Sequence, residues 1–271
     1  MPLAALDGVT LEYEVSGRGE PVVCVHGAFL ADAFRPLRAE HALADRYRLI
    51  TYSRRGYGSS GAAEPAATLA EQAADCRRLL SHLCVPRAHV VGHSLGGAIA
   101  LQLSLDAPEL VHTLALLEAG LLIGESAGLY RAGLQESRRR YEEVGAELAV
   151  DEFFAARWPT YRDELEEVLP GASEQAARDA ATCFEADFAG GLAFRFGPEE
   201  ARRIIQPALL VLGEGSVALH PRFSETQRLL LAWLPRAESF VLPGASHFLQ
   251  LENPSGMAEA LAGFFARHPL A

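Results

Sequence analysis

The stretch Gly92-His93-Ser94-Leu95-Gly96 carries the pattern G-x-S-x-G. A serine flanked this way is a candidate nucleophile when the chain around it runs strand, turn, helix. His89-Val90-Val91 reads as the end of a buried strand, and Leu95 to Leu105 reads as a helix closed by Asp106-Ala107-Pro108. So sharp a passage forces the middle residue into a strained backbone conformation. Side chains in place of Gly92 and Gly96 would collide with the neighbouring strand and helix, and Gly97 lets the helix lie close to the sheet. The strain presents the Ser94 hydroxyl to open space above the sheet edge. The unpaired N–H groups and dipole of the following helix favour negative charge developing there.

A carboxylate occupies a comparable place one helix and one strand later. Val111 to Leu117 reads as a buried strand and ends in Glu118-Ala119-Gly120. Open α/β sheets bind ligands at the carboxyl ends of their parallel strands, which makes Glu118 a candidate site residue. The rest of the chain supplies the elements such a sheet needs. Leu3–Leu6, the Asp7-Gly8 turn and Leu11–Val15 predict an antiparallel hairpin. Pro21–Val25 is a continuous apolar run, as expected of a strand covered on both faces. Tyr47–Tyr52, Gln206–Leu212 and Ser239–Leu242 read as further strands, with helices expected over Thr68–Cys84, Phe223–Leu234 and from Asn253-Pro254 to about Phe265. Alternation of strand and helix predicts an α/β protein with a mostly parallel sheet flanked by helices.

Residues 122–200 change character: charge is dense and helical stripes replace strands. Tyr130, Leu134, Tyr141, Val144 and Leu148 fall on one expected helical face. Asp151 is placed to cap a second helix carrying Phe153 and Phe154 and ended by Trp158-Pro159, and Ser173–Phe188 reads as another. The expected organisation is therefore a core from 1–121 and 201–271 with an inserted helical unit at 122–200.

Composition limits the partners. With 271 residues and 49% hydrophobic content, the chain is long and apolar enough for one sizeable core. A net charge of -11 argues against nucleic acid and anionic membrane surfaces. The four cysteines have no metal-ligand spacing, so no metal and no cofactor are expected. No basic stretch followed by an apolar core opens the chain, and no apolar run is long enough to span a bilayer. The expectation is a cytoplasmic protein acting on a small molecule.

The elbow around Ser94 resembles the nucleophile elbow of the α/β-hydrolase fold superfamily. His26-Gly27-Ala28-Phe29 resembles that superfamily's His-Gly motif after the third strand. The likeness implies that the N–H groups of Ala28 and Leu95 receive an oxyanion. His247 resembles the catalytic histidine, in the loop Pro243-Gly244-Ala245-Ser246-His247-Phe248 between a last strand and a last helix. Ser53-Arg54-Arg55-Gly56-Tyr57-Gly58-Ser59-Ser60 resembles a loop-bracing motif of the family, with Ser53 where Asp is usual. The usual acid position, a few residues after Gly213-Glu214, holds no Asp. Some members, including one branch of haloalkane dehalogenases, place a Glu after the sixth strand instead, where Glu118 lies. Glu118 is preferred on that likeness, with Glu214, or a Ser–His pair lacking an acid, left open.

By the same resemblance the helical insertion is a cap, and Phe29 and Trp158 are candidate substrate-binding residues. The implied activity is hydrolysis of a carboxylic ester or lactone of a largely apolar substrate through an acyl-enzyme. A serine at the elbow argues against dehalogenase and epoxide hydrolase chemistry, which in this fold need Asp there. Carbon–carbon bond hydrolysis, a lyase or cyclase step, or a receptor-like role with little turnover remain alternatives.

Overall fold

The computed structural model describes residues 1–62, 67–158 and 160–270. Eight strands form one sheet: β1 (Leu3–Leu6), β2 (Val9–Gly17), β3 (Glu20–Val25), β4 (Tyr47–Tyr52), β5 (Ala88–His93), β6 (Val111–Leu117), β7 (Ala208–Gly213) and β8 (Ala237–Leu242). Their spatial order is β1-β2-β4-β3-β5-β6-β7-β8. β1 and β2 pair antiparallel, as does β2 with β4, and every later pairing is parallel.

The apolar runs become strands buried on both faces because neighbouring residues feed different cores. Val90 packs with the helices Leu69–His82 and Leu95–Asp106 on one side, while Val91 packs with Pro254–Arg267 on the other. Val23 and Val22 divide the same way, as do Leu114 and Ala115. This is the two-residue period of a pleated strand. One polar pair is buried in these strands. His89 Nδ1 and Thr113 Oγ1 lie 2.8 Å apart, and His89 Nε2 reaches the Glu20 carboxylate at 2.9 Å. Burial is tolerable there because both ring nitrogens have partners.

The helix expected from Thr68 runs Leu69–His82, with Thr68 as N-cap. Thr68 Oγ1 accepts the Glu71 N–H at 3.2 Å and the Glu71 carboxylate accepts the Thr68 N–H at 2.7 Å, a reciprocal capping box.

Residues 122–200 contain no strand among those described. Helices run Ala127–Val144, Ala146–Ala155, Tyr161–Val168, Ala172–Arg178 and Phe188–Ala193, with a π-helical turn at Thr182–Asp187 before the last. Their shared apolar cluster includes Phe153, Phe154, Trp158 and Phe184. It closes onto Phe29, Tyr57 and Phe248, which follow the C-terminal ends of β3, β4 and β8.

Three expectations in this segment need correction. Gly145, at φ +82°, ends the first helix, so Leu148 belongs to the next one and is 47% exposed, outside the stripe of Tyr130 and Leu134. Asp151 lies inside helix Ala146–Ala155 instead of capping it, and its carboxylate pairs with Arg162. The helix read as Ser173–Phe188 is broken after Arg178 into the π-helical turn. Pro159, expected to end the second helix, lies outside the described residues. No helix among the described residues is long and apolar enough to cross a membrane.

Candidate active site

Ser94 sits between β5 and the helix Leu95–Asp106 at φ 51° and ψ −119°. β6 pins it there. The Ser94 N–H donates to the Leu117 carbonyl at 2.9 Å, and the Gly120 N–H donates to the Ser94 carbonyl at 2.7 Å. The flanking glycines are sterically required. A Cβ on Gly92 would strike the Gly96 carbonyl, and one on Gly96 would strike the Val25 carbonyl. At Gly97 a Cβ would lie 2.8 Å from the Ala119 Cβ, so the close approach is to the segment after β6.

Two distant side chains converge on this serine. His247 Nε2 lies 3.1 Å from Ser94 Oγ, and His247 Nδ1 lies 2.7 Å from Glu118 Oε2. The other carboxylate oxygen, Glu118 Oε1, accepts the Gly213 N–H at 2.8 Å. All three side chains are buried. Glu214, the other candidate acid, is exposed and accepts the Gly244 N–H at 3.1 Å; it makes no hydrogen bond to His247.

Of the four non-glycine residues with positive φ among those described, three line up here: Phe29, Ser94 and Glu118. Such conformations cost about 1–3 kcal/mol each and persist only where the surroundings over-determine them.

The loop bearing His247 is fixed from both flanks by Glu252. The Ser246 N–H donates to Glu252 Oε2 at 2.9 Å and the Phe248 N–H to Oε1 at 2.8 Å. His93, inside the elbow, bonds the His247 carbonyl through Nε2 at 2.7 Å. A carbonyl only accepts, so His93 Nε2 carries the proton. Burial, with His247 nearby, drives the His93 ring down to about 3, so it is a neutral strut at ordinary pH.

Ala28 and Leu95 line the same cleft as Ser94. Among the described residues neither backbone N–H has an acceptor, as expected of a first helical turn for Leu95. The loop behind Ala28 is braced by Arg54. Its Nε and Nη2 donate to the carbonyls of His26 at 3.1 Å and Gly27 at 2.9 Å, while the guanidinium forks onto Asp187 at 2.9 and 2.6 Å. The motif beginning at Ser53 is tied to another strand. The buried Glu12 of β2 accepts the Ser53 hydroxyl and the Ser59 N–H, each at 3.1 Å. Sequence spacing gives no signal for Glu12 or His93, because their partners are brought by tertiary folding; the partners of Glu252 lie only four and six residues away, but in an irregular loop with no repeating pattern.

The electrostatics oppose free charge at the site. Burial pushes Glu118 up to about 7. The nearby Ser216 hydroxyl, which lacks the geometry of a full hydrogen bond, the Gly213 N–H and the Arg222 charge pull the other way. Burial likewise holds His247 well below the usual imidazole range, with Arg222 and Arg157 adding to it. At neutral pH the imidazole is therefore uncharged, and its Nδ1 proton faces the carboxylate. That leaves Nε2 free to accept from Ser94.

The cleft over Ser94 is narrow, with a cavity volume of about 20 Å3. Its apolar walls come from Leu122, Tyr130, Leu134, Phe153 and Phe188, and two arginines, Arg157 and Arg222, also face it. Neither expected substrate-binding residue lines it. Phe29 is fully buried against Phe153 and Phe184, with ring centroids 4.7 and 5.1 Å away. Trp158, 1% exposed, packs on Phe248 and donates its Nε1–H to Glu164 at 2.9 Å. Both build the wall behind the cleft.

This fold and site define an α/β hydrolase. The chain belongs to the alpha/beta hydrolase family, whose model matches residues 22–260. It is 29% identical, over 94% of its length, to the dihydrolipoyllysine-residue acetyltransferase component of the acetoin cleaving system of Pseudomonas putida. It spans 66% of that protein, and 50% of the corresponding component from Cupriavidus necator. A protein of Azorhizobium caulinodans named as a carbamate hydrolase is 28% identical, with 97% of this chain and 98% of that protein covered. The crystal structure of the enol-lactonase from Burkholderia xenovorans shares the fold at a TM-score of 0.84 and 21% identity, covering 98% of this chain and all of that one.

Proposed function

We propose that the protein hydrolyses carboxylic esters or lactones of small molecules through an acyl-enzyme on Ser94. The observation that carries this reading is the Ser94–His247–Glu118 relay, with bond lengths of 3.1 and 2.7 Å, built on strained backbone. Ser94 Oγ attacks the carbonyl carbon while His247 Nε2 takes its proton. Glu118 keeps the other imidazole proton on Nδ1 and stabilises the cation formed in that step. The N–H groups of Ala28 and Leu95 donate to the oxyanion. A single donor in a comparable hole is worth about 3–4 kcal/mol. His247 returns the proton to the leaving alcohol, then activates water to release the acyl group. A relative named for carbamate hydrolysis supports carbonyl chemistry of this type.

In this reading residues 122–200 act as a cap over the sheet, and Phe153 and Phe188 set the shape of the acyl site. Phe29 and Trp158 act one layer back, by holding those walls.

The test combines a fluorophosphonate probe with a short p-nitrophenyl ester. The wild-type protein labels once and turns the ester over, and Ser94→Ala does neither. Undiminished turnover by Ser94→Ala, or a wild-type protein inert to both reagents, refutes the proposal.

A further inference from the structure

The cleft wall contains two arginines that form no ion pair among the described residues. Arg222 is 4% exposed, and its Nη1 is buried without a hydrogen-bond partner among the described residues. Arg157, half-buried, uses Nη1 at the Phe153 carbonyl of the preceding helix, 2.8 Å away. Neither guanidinium has a carboxylate within ion-pair distance among the described residues. Both face the cleft that holds Ser94 and His247.

Aromatic faces position both groups. The Arg222 guanidinium carbon lies 3.8 Å from the Phe223 ring centroid and 4.1 Å from that of Tyr130; that of Arg157 lies 3.5 Å from Phe153. Such contacts hold a planar cation flat and leave its N–H edge free. They stabilise a desolvated cation by less than its burial costs. The neighbouring carboxylates are already committed. Glu118 serves Gly213 and His247, and Asp187 serves Arg54, Gln72 and Tyr57.

We propose that Arg157 and Arg222 form a subsite for a carboxylate on the substrate, so that the ester or lactone cleaved at Ser94 carries an anionic end. Two guanidinium forks match a carboxylate in geometry and charge. Burial, reinforced by Arg222, brings Arg157 down to about 10, and an anion between the two would relieve that conflict. The apolar walls then hold the body of the substrate and the arginine pair fixes its orientation. This assignment rests on the ester-hydrolase reading for the position of the scissile bond, but not for binding itself.

Binding is therefore measured apart from turnover. Ser94→Ala protein is titrated by calorimetry with adipate, with dimethyl adipate and with inorganic phosphate. Adipate binds, the neutral diester binds at least tenfold more weakly, and Arg157→Gln or Arg222→Gln in that background loses at least tenfold in adipate affinity. In the turnover arm the wild-type protein prefers mono-p-nitrophenyl adipate over its methyl ester by at least tenfold in kcat/KM. That ratio falls towards one in either arginine variant. Because Arg222 is buried, the half-buried Arg157→Gln is the decisive variant if Arg222→Gln fails to fold. Absence of adipate binding, phosphate binding without adipate binding, or a preference untouched by Arg157→Gln overturns the proposal. Ester turnover without anion preference sinks this proposal alone, while adipate binding without any ester turnover sinks the ester-hydrolase reading alone.

Discussion

Substituting Glu118 by Gln changes one oxygen to nitrogen, and the hydrogen-bond geometry determines the consequence for catalysis. Oε1 accepts the Gly213 N–H and Oε2 accepts His247 Nδ1–H. A glutamine must put its carbonyl oxygen toward one donor and its NH2 toward the other. With NH2 toward Gly213, two buried donors face each other, at a cost of about 1–3 kcal/mol. The favoured orientation points NH2 at His247 Nδ1, which then has to accept. The ring proton moves to Nε2, facing Ser94 Oγ at 3.1 Å. That tautomer cannot receive the serine proton. The corresponding change in a serine protease drops kcat by about ten-thousandfold, equivalent to about 5 kcal/mol of barrier. Steady-state hydrolysis of a short p-nitrophenyl ester, with thermal unfolding to confirm the fold, should show a loss of about three to four decades in kcat for Glu118→Gln. Glu214→Gln, altering an exposed carboxylate bonded only to the Gly244 N–H, should stay within about threefold, as surface changes do. Retention of kcat within tenfold in Glu118→Gln, or a larger loss in Glu214→Gln, refutes the assignment of the acid.

Ser94→Gly removes the nucleophile and also the cost of φ 51° on a residue with a Cβ. Relief of about 1–3 kcal/mol against about 0.5–1 of extra chain entropy leaves an inactive protein more stable by roughly 1 kcal/mol. A fall in its Tm would contradict the strain. His89, buried between Thr113 and Phe265, is driven down to about 4, chiefly by burial. Its folded pKa lies below the unfolded value, so its contribution is intact above about 6.5 and is lost as pH falls from there towards 4. Between pH 7.5 and 5 the wild-type protein should lose about 2 kcal/mol more stability than His89→Phe in urea titrations; equal losses would show that His89 charges freely in the folded state.

The parts of the site that could be read from sequence are those whose cause is local. Gly92, Gly96 and Gly97 announce a serine on a tight strand-to-helix passage because their neighbours are only a few residues away, or end an adjacent strand. The sheet was legible for the same reason: Val90 and Val91 are both apolar because each faces a different core. What depends on tertiary convergence was legible only where the family likeness marked it, as at His247 and Glu118. His93 reaches His247 across 154 positions and Arg54 reaches Asp187 across 133. Glu12 reaches Ser53 from a strand the motif does not contain. The helical segment misled in a related way. Its amphipathic pattern identified Phe153, Phe154, Trp158 and Phe184 as apolar without telling which of them turn to the cleft. Trp158 and Phe29 turn away, and Phe153 turns in.

Unpaired buried polar atoms occur at Ser16, Tyr52 and Gln250 as well as at Arg222, but the strained backbone is concentrated. Among the described residues, three of the four strained non-glycine residues follow the C-terminal ends of adjacent strands β3, β5 and β6. Glu118, pushed up to about 7, stands behind His247, and an arginine with an orphaned Nη1 lines the cleft in front of it. Each departure alone lowers stability by an amount comparable to a substantial fraction of the folding free energy of a domain. Chance would scatter them, and selection for stability alone would remove them. Their coincidence over one cleft is what a binding and reaction site predicts, since there the missing partners arrive with the substrate.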